Sequence, residues 1–105
     1  MMSNDFGLPE DIYAAMIKTL QLYPSIHSAK MFGSRAKGNY KRYSDVDIAV
    51  FSDSDRDMSQ SVRDALEDLD TIYGFDVVHY EMISNSDLKE HIDRAGVEFY
   101  KQEAL

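Results

Sequence analysis

At 105 residues, 44% of them apolar and 11% aromatic, the sequence has material for one packed core, whereas a second would need roughly another 100 residues. The absence of cysteine excludes disulfides, thiolate metal sites and thiol nucleophiles, and no apolar run approaches the roughly 20 residues of a membrane span. A net charge of -8 argues against a nonspecific nucleic-acid binder, and an N-terminus carrying Asp5, Glu10 and Asp11 is no signal peptide, so the expectation is a soluble, cytoplasmic, single-domain chain over residues 1–105.

Pro9, the acids Glu10 and Asp11, and an apolar stripe of Ile12, Tyr13, Met16, Ile17 and Leu20 predict a helix over 9–22, stopped by Pro24. Ile26 to Phe32 reads as a strand ending at Gly33-Ser34, and the polar, basic stretch 35–44 as a loop opening with one helical turn. Val46, Ile48 and Val50 alternate with Asp47, Ala49 and Phe51 at the period of a second strand. Val62, Ala65, Leu66, Leu69, Ile72 and Tyr73 mark a second helix over 58–73, ended by Gly74. Phe75 to Tyr80 is a β-branched and aromatic strand. Ser84 and Asp87 are capping candidates for a third helix carrying Leu88, Ile92 and Ala95, closed by Gly96 and followed by an extended edge piece over 97–100. Strands alternating with helices give a small α/β (α+β) unit with helices covering the sheet.

Charge is distributed unevenly. From Ile12 to Ser44 there is no acid, but Lys18, Lys30, Arg35, Lys37, Lys41 and Arg42 all occur; from Asp45 to Asp70 acids dominate. A basic loop running into a carboxylate cluster suits an anionic ligand held with a divalent cation. Residues i and i+2 of a strand share a face, so Asp45 and Asp47 project together and repel unless a cation lies between them. Magnesium fits such a site, because it takes hard oxygen ligands and fills its remaining positions with water and phosphate oxygens. If the second and third strands are neighbours, Asp76 joins the cluster, and three carboxylates suffice for two metal ions and an in-line phosphoryl or nucleotidyl displacement. Gly33-Ser34 offers close backbone approach and a hydroxyl to an anion, with Arg35, Lys37, Lys41 and Arg42 available to cover polyphosphate charge.

Gly33-Ser34, ten intervening residues and then Asp45-Val46-Asp47 resembles the signature of the polymerase-beta-like nucleotidyltransferase superfamily. The run GSRAKGNYKRYSDVDIAV is similar to its small prokaryotic branch, the minimal nucleotidyltransferases or MNT proteins; the strand Phe75-Asp76-Val77-Val78 and the ending 92–100 fit the same pattern. The resemblance implies a mixed sheet flanked by helices, two magnesium ions, and transfer of a nucleoside monophosphate, AMP from ATP, to a hydroxyl with release of pyrophosphate. It implies that Gly33 and Ser34, with Arg35 and Lys37 beside them, bind the nucleotide, that Asp45, Asp47 and Asp76 hold metal, and that Asp76 accepts the proton of the attacking hydroxyl. It also implies a small all-helical HEPN-type partner, which in toxin–antitoxin pairs is the toxin that the MNT antitoxin adenylylates on tyrosine. Two alternatives stand beside it: neutralisation of a partner without catalysis, and a small-molecule transferase resembling the aminoglycoside-modifying members. No membrane or direct nucleic-acid partner is expected.

Other features have plainer readings. Residues 53–57 imitate the opening of an EF-hand loop, but Met58 replaces the required glycine and Asp64 the closing glutamate. His27, His79 and His91 lack metal-ligand spacing, and Met16 and Met31 read as core. Tyr40 and Tyr43 lie in the basic loop as ordinary loop tyrosines.

Overall fold

The computed structural model describes residues 5–103. Pro9 is extended at the start of α1 (Glu10–Gln21), one position earlier than a first-turn proline, with Glu10 and Asp11 at the positive helix end. Four more elements follow: β1 (Ile26–Phe32), the short α2 (Gly33–Lys37), β2 (Val46–Ser52) and α3 (Ser59–Glu67). The chain closes with β3 (Phe75–His79), a 3-10 turn over Tyr80–Met82, α4 (Ser86–Ala95) and β4 (Val97–Lys101).

The sheet is mixed, in the order β3-β2-β1-β4. β1 runs antiparallel to both β2 and β4, and β3 is parallel to β2 with Val46, Asp47 and Ile48 opposite Phe75, Asp76 and Val77. Period-two alternation then divides the sheet. Val46, Ile48, Val50, Phe75 and Val77 are buried in the core that includes Met16 and Leu20 of α1 and Val62 and Leu66 of α3. The opposite face buries Phe32 and Ala49 with Ile92 of α4, and half-covers Phe51, Val78, Tyr80 and Leu88. Asp47 and Asp76 belong to that second face, with Asp47 opposite Phe32.

Three boundaries differ from the sequence expectation. α3 stops at Glu67, not near residue 73: Asp68 N–H closes the helix onto the Asp64 carbonyl, and Tyr73 is drawn away to another partner. β3 ends at His79, with Tyr80 already in the 3-10 turn. The cap of α4 is Asn85, neither Ser84 nor Asp87, its side-chain oxygen accepting from Asp87 N–H (2.9 Å) and Leu88 N–H (3.1 Å). The expected edge strand over 97–100 is β4. No helix among the described residues is long and apolar enough to cross a membrane.

Candidate active site

Three carboxylates meet where β2 and β3 begin. Asp45 immediately precedes β2 and is exposed, Asp47 is half-buried within it, and exposed Asp76 is the second residue of β3. Asp47 and Asp76 are partners in the parallel register, so their backbones lie one inter-strand spacing apart, about 4.8 Å, with side chains on the same face. The electrostatic consequence falls on Asp47. Burial, then the charges of Asp76 and Asp45, push its carboxyl up from 3.8 to about 6, against a smaller opposing pull from Arg35.

Two glycines let the chain close around these acids. Gly33 has φ +73, and a Cβ placed on it would fall 2.2 Å from Asp47 Oδ2, so the β1–α2 turn sits directly against the carboxylate. Phe32, the residue before it, is Asp47's cross-strand partner in β1, which fixes that approach. Gly74 does the same for Asp45: a Cβ there would meet Asp45 Oδ1 at 2.8 Å, while its carbonyl accepts from Val46 N–H at 2.9 Å. Gly74 reads from sequence only as a helix stop; its part here depends on the β2–β3 pairing, which no local pattern announces.

Half-buried Ser34 lies in the first turn of α2 and exposed Lys37 in its last. Arg35, expected beside the nucleotide, is buried. It is 1% exposed, and each nitrogen of its guanidinium donates to a backbone carbonyl, with two tyrosine rings beside it. Lys41 and Arg42 are exposed on the following loop, Arg42 over the ring of exposed Tyr43.

Among the described residues no group of three or more histidine, aspartate or glutamate side chains is placed to hold a metal ion by itself. The arrangement is an open one: hard oxygen donors on adjacent strands, mutually repelling enough to raise Asp47, with a glycine leaving room beside it. That donor set fits magnesium, which retains water and substrate oxygens in most of its positions.

The remaining candidates are structural. Residues 53–57 form local turns in which Ser54 N–H donates to Ser52 Oγ and Ser59 N–H to Asp57 Oδ1, and that bonding lowers the Asp57 pKa. His79 is buried, its Nδ1 accepting from Met58 N–H, while His27 pairs with Asp53 and His91 lies edge-on to Phe32. Met16 and Met31 are fully buried.

Comparison with known proteins adds four findings. The family described as Polymerase beta, Nucleotidyltransferase matches residues 15–104. A probable protein adenylyltransferase MntA of Haemophilus influenzae is 31% identical over 93 residues, spanning 85% of this chain and 80% of the relative. Among solved structures, a toxin–antitoxin complex with AMP-PNP superposes with a TM-score of 0.66 at 23% identity, over 87% of this chain and 74% of that one. A tri-AMPylated Shewanella oneidensis HEPN toxin in complex with its MNT antitoxin gives 0.61 at 20% identity, over 89% and 72%. At those identities the two structures establish a shared fold. The family match, by contrast, runs from α1 past β4 and spans all three carboxylates and the Gly33-Ser34 turn: this chain belongs to the polymerase beta nucleotidyltransferase family.

Proposed function

We propose that the chain is a magnesium-dependent adenylyltransferase that moves AMP from ATP to a hydroxyl on a small helical HEPN-type partner, acting in the cytoplasm as the antitoxin of a toxin–antitoxin pair. The observation that carries the chemistry is the Asp47–Asp76 register with Asp45 alongside and Gly33 packed on Asp47. The adenylyl group and the protein acceptor are supported by the similarity to MntA and by the AMPylated HEPN toxin bound to the MNT neighbour.

In this reading the Gly33 backbone and the Ser34 hydroxyl hold the β- and γ-phosphates, Lys37 adds positive charge from the solvent side, and Asp45, Asp47 and Asp76 are the metal ligands. Two magnesium ions, when bound, supply neutralisation of the triphosphate and of the departing pyrophosphate. The acceptor oxygen forms a bond to the α-phosphorus as the bond from phosphorus to the α,β-bridging oxygen breaks. The acceptor proton passes to the Asp76 carboxylate, which its exposed position on the sheet edge makes reachable. Asp47, held near 6 without a cation, must be ionised to bind one, so the site is charged most readily at neutral pH and above.

The test is incubation of the chain and the product of its neighbouring gene with magnesium and each α-labelled nucleoside triphosphate, with Asp47→Asn as control. The expected result is label from ATP on the partner, lost in Asp47→Asn while its circular dichroism is unchanged. Transfer that survives in Asp47→Asn overturns the assigned chemistry; tight complex formation without label from any nucleotide replaces it with neutralisation by binding alone.

A further inference from the structure

Arg35 is the largest of the fully buried side chains, and a charge in that position carries a high desolvation cost. Among the described residues it has no carboxylate within ion-pair distance. Its guanidinium is satisfied by backbone instead: Nη1 donates to the Phe6 carbonyl at 2.8 Å, Nε and Nη2 to the Ser44 carbonyl at 3.1 and 2.9 Å, and Nη2 also to the Arg42 carbonyl at 3.3 Å. The rings of Tyr40 and Tyr73 each lie 5.0 Å from Cζ. Gly7, with φ +72, lies against Tyr40, where a Cβ would fall 2.2 Å from the ring.

This one side chain therefore fastens three irregular segments: the turn before α1, the loop between α2 and β2, and the turn before β3. Two of these attachments, at Ser44 and Tyr73, are next to residues of the site. Arg35 itself follows Ser34; Ser44, which accepts two of its bonds, precedes Asp45; Tyr73 precedes Gly74, which packs on Asp45 and leads to Asp76. An apolar side chain of equal volume would fill the space without orienting the carbonyls, and a lysine would keep the charge without the planar fork or the stacking.

We infer that Arg35 is a positioning residue for nucleotidyl transfer: it touches no nucleotide, and it sets the placement of Asp45 and Ser34 relative to Asp76 through the carbonyls and rings it binds. This rests on the transferase reading above. It differs from a phosphate-contact role, which would act on nucleotide affinity, and from simple core filling, which would act on stability alone.

Steady-state transfer by Arg35→Met, Arg35→Lys and Tyr73→Leu, set beside Lys37→Ala, separates these. Positioning predicts that kcat falls on the order of 100-fold in both Arg35 variants and roughly 10-fold in Tyr73→Leu, with KM for ATP within about threefold of wild type. Lys37→Ala should instead raise KM. Wild-type kcat in a folded Arg35→Lys or Arg35→Met, or a raised KM at unchanged kcat, overturns the inference. Should the Arg35 variants fail to fold, Tyr73→Leu decides it, and wild-type kcat there is equally fatal. A wild-type chain that transfers no label counts against the transferase reading, not against Arg35. Backbone amide shifts at Asp45, Val46 and Asp76 in Tyr73→Leu then read the positioning directly, and their constancy overturns it.

Discussion

Gly33, the first residue of α2, and Gly38, which follows its last, have similar positive φ angles, +73 and +86, but different surroundings, and comparing alanine at each separates conformational strain from damage to the site. An alanine in the left-handed region costs about 1–2 kcal/mol at either position. For a chain of this size that lowers Tm by roughly 4–8 °C per kcal/mol. At Gly38 nothing lies within 4 Å of the added methyl, so the cost ends there. At Gly33 the methyl would sit 2.2 Å from Asp47 Oδ2, about 1 Å inside ordinary contact, and the carboxylate has to swing away. Because that oxygen ends a short movable side chain, the added stability cost is small, but a displacement of about 1 Å at a reacting centre costs on the order of 100-fold in rate. Gly33→Ala should therefore match Gly38→Ala in thermal melting and fall about 100-fold below it in label transfer from ATP, with Gly38→Ala within about threefold of wild type. Equal transfer by the two variants would refute the placement of Gly33 against a working Asp47.

Two further outcomes follow from the same geometry. Because the folded chain holds the Asp47 carboxyl near 6 against 3.8 ordinarily, it binds more protons than the unfolded chain across that window and loses stability as pH rises through it. In a chelating buffer Asp47→Asn should then melt above wild type at about pH 7.5, with the difference gone by about pH 4; a variant no more stable at the higher pH shows the carboxylate to be unstrained. Removing the α4 cap with Asn85→Ala, which frees the Asp87 and Leu88 amides, should cost about 1 kcal/mol in urea unfolding with no change in transfer.

The site was legible from sequence to the extent that it is local. The period-two pattern of 46–51 puts Asp45 and Asp47 on one face without further information, and Gly33-Ser34 marks the end of β1 because glycine there breaks the alternation. Asp76 required the added assumption that β2 and β3 are neighbours, which the parallel register bears out. What was not legible is long-range. Leu69 and Tyr73 continue the spacing of α3 and extend the expected helix, yet Ile72 between them is 70% exposed and Tyr73 stacks on a side chain 38 positions earlier. Arg35 sits in a basic, polar stretch and by composition belongs to solvent. Only the folded chain brings Tyr40, Tyr73 and three carbonyls around it, and periodicity carries no record of such a convergence.

The sheet order also divides the three acids by how firmly their backbone is held. β2 is hydrogen-bonded along both sides, to β1 and β3, whereas β3 is paired on one side and closes the edge of the sheet. On that pairing, amide exchange around Asp47 is expected to be slower than around Asp76. An opening confined to β3 would leave the Asp45-Asp47 pair in place and remove the third acid. Anything that clamps the outer edge of β3, a docked polypeptide included, raises the fraction of time for which all three are present together.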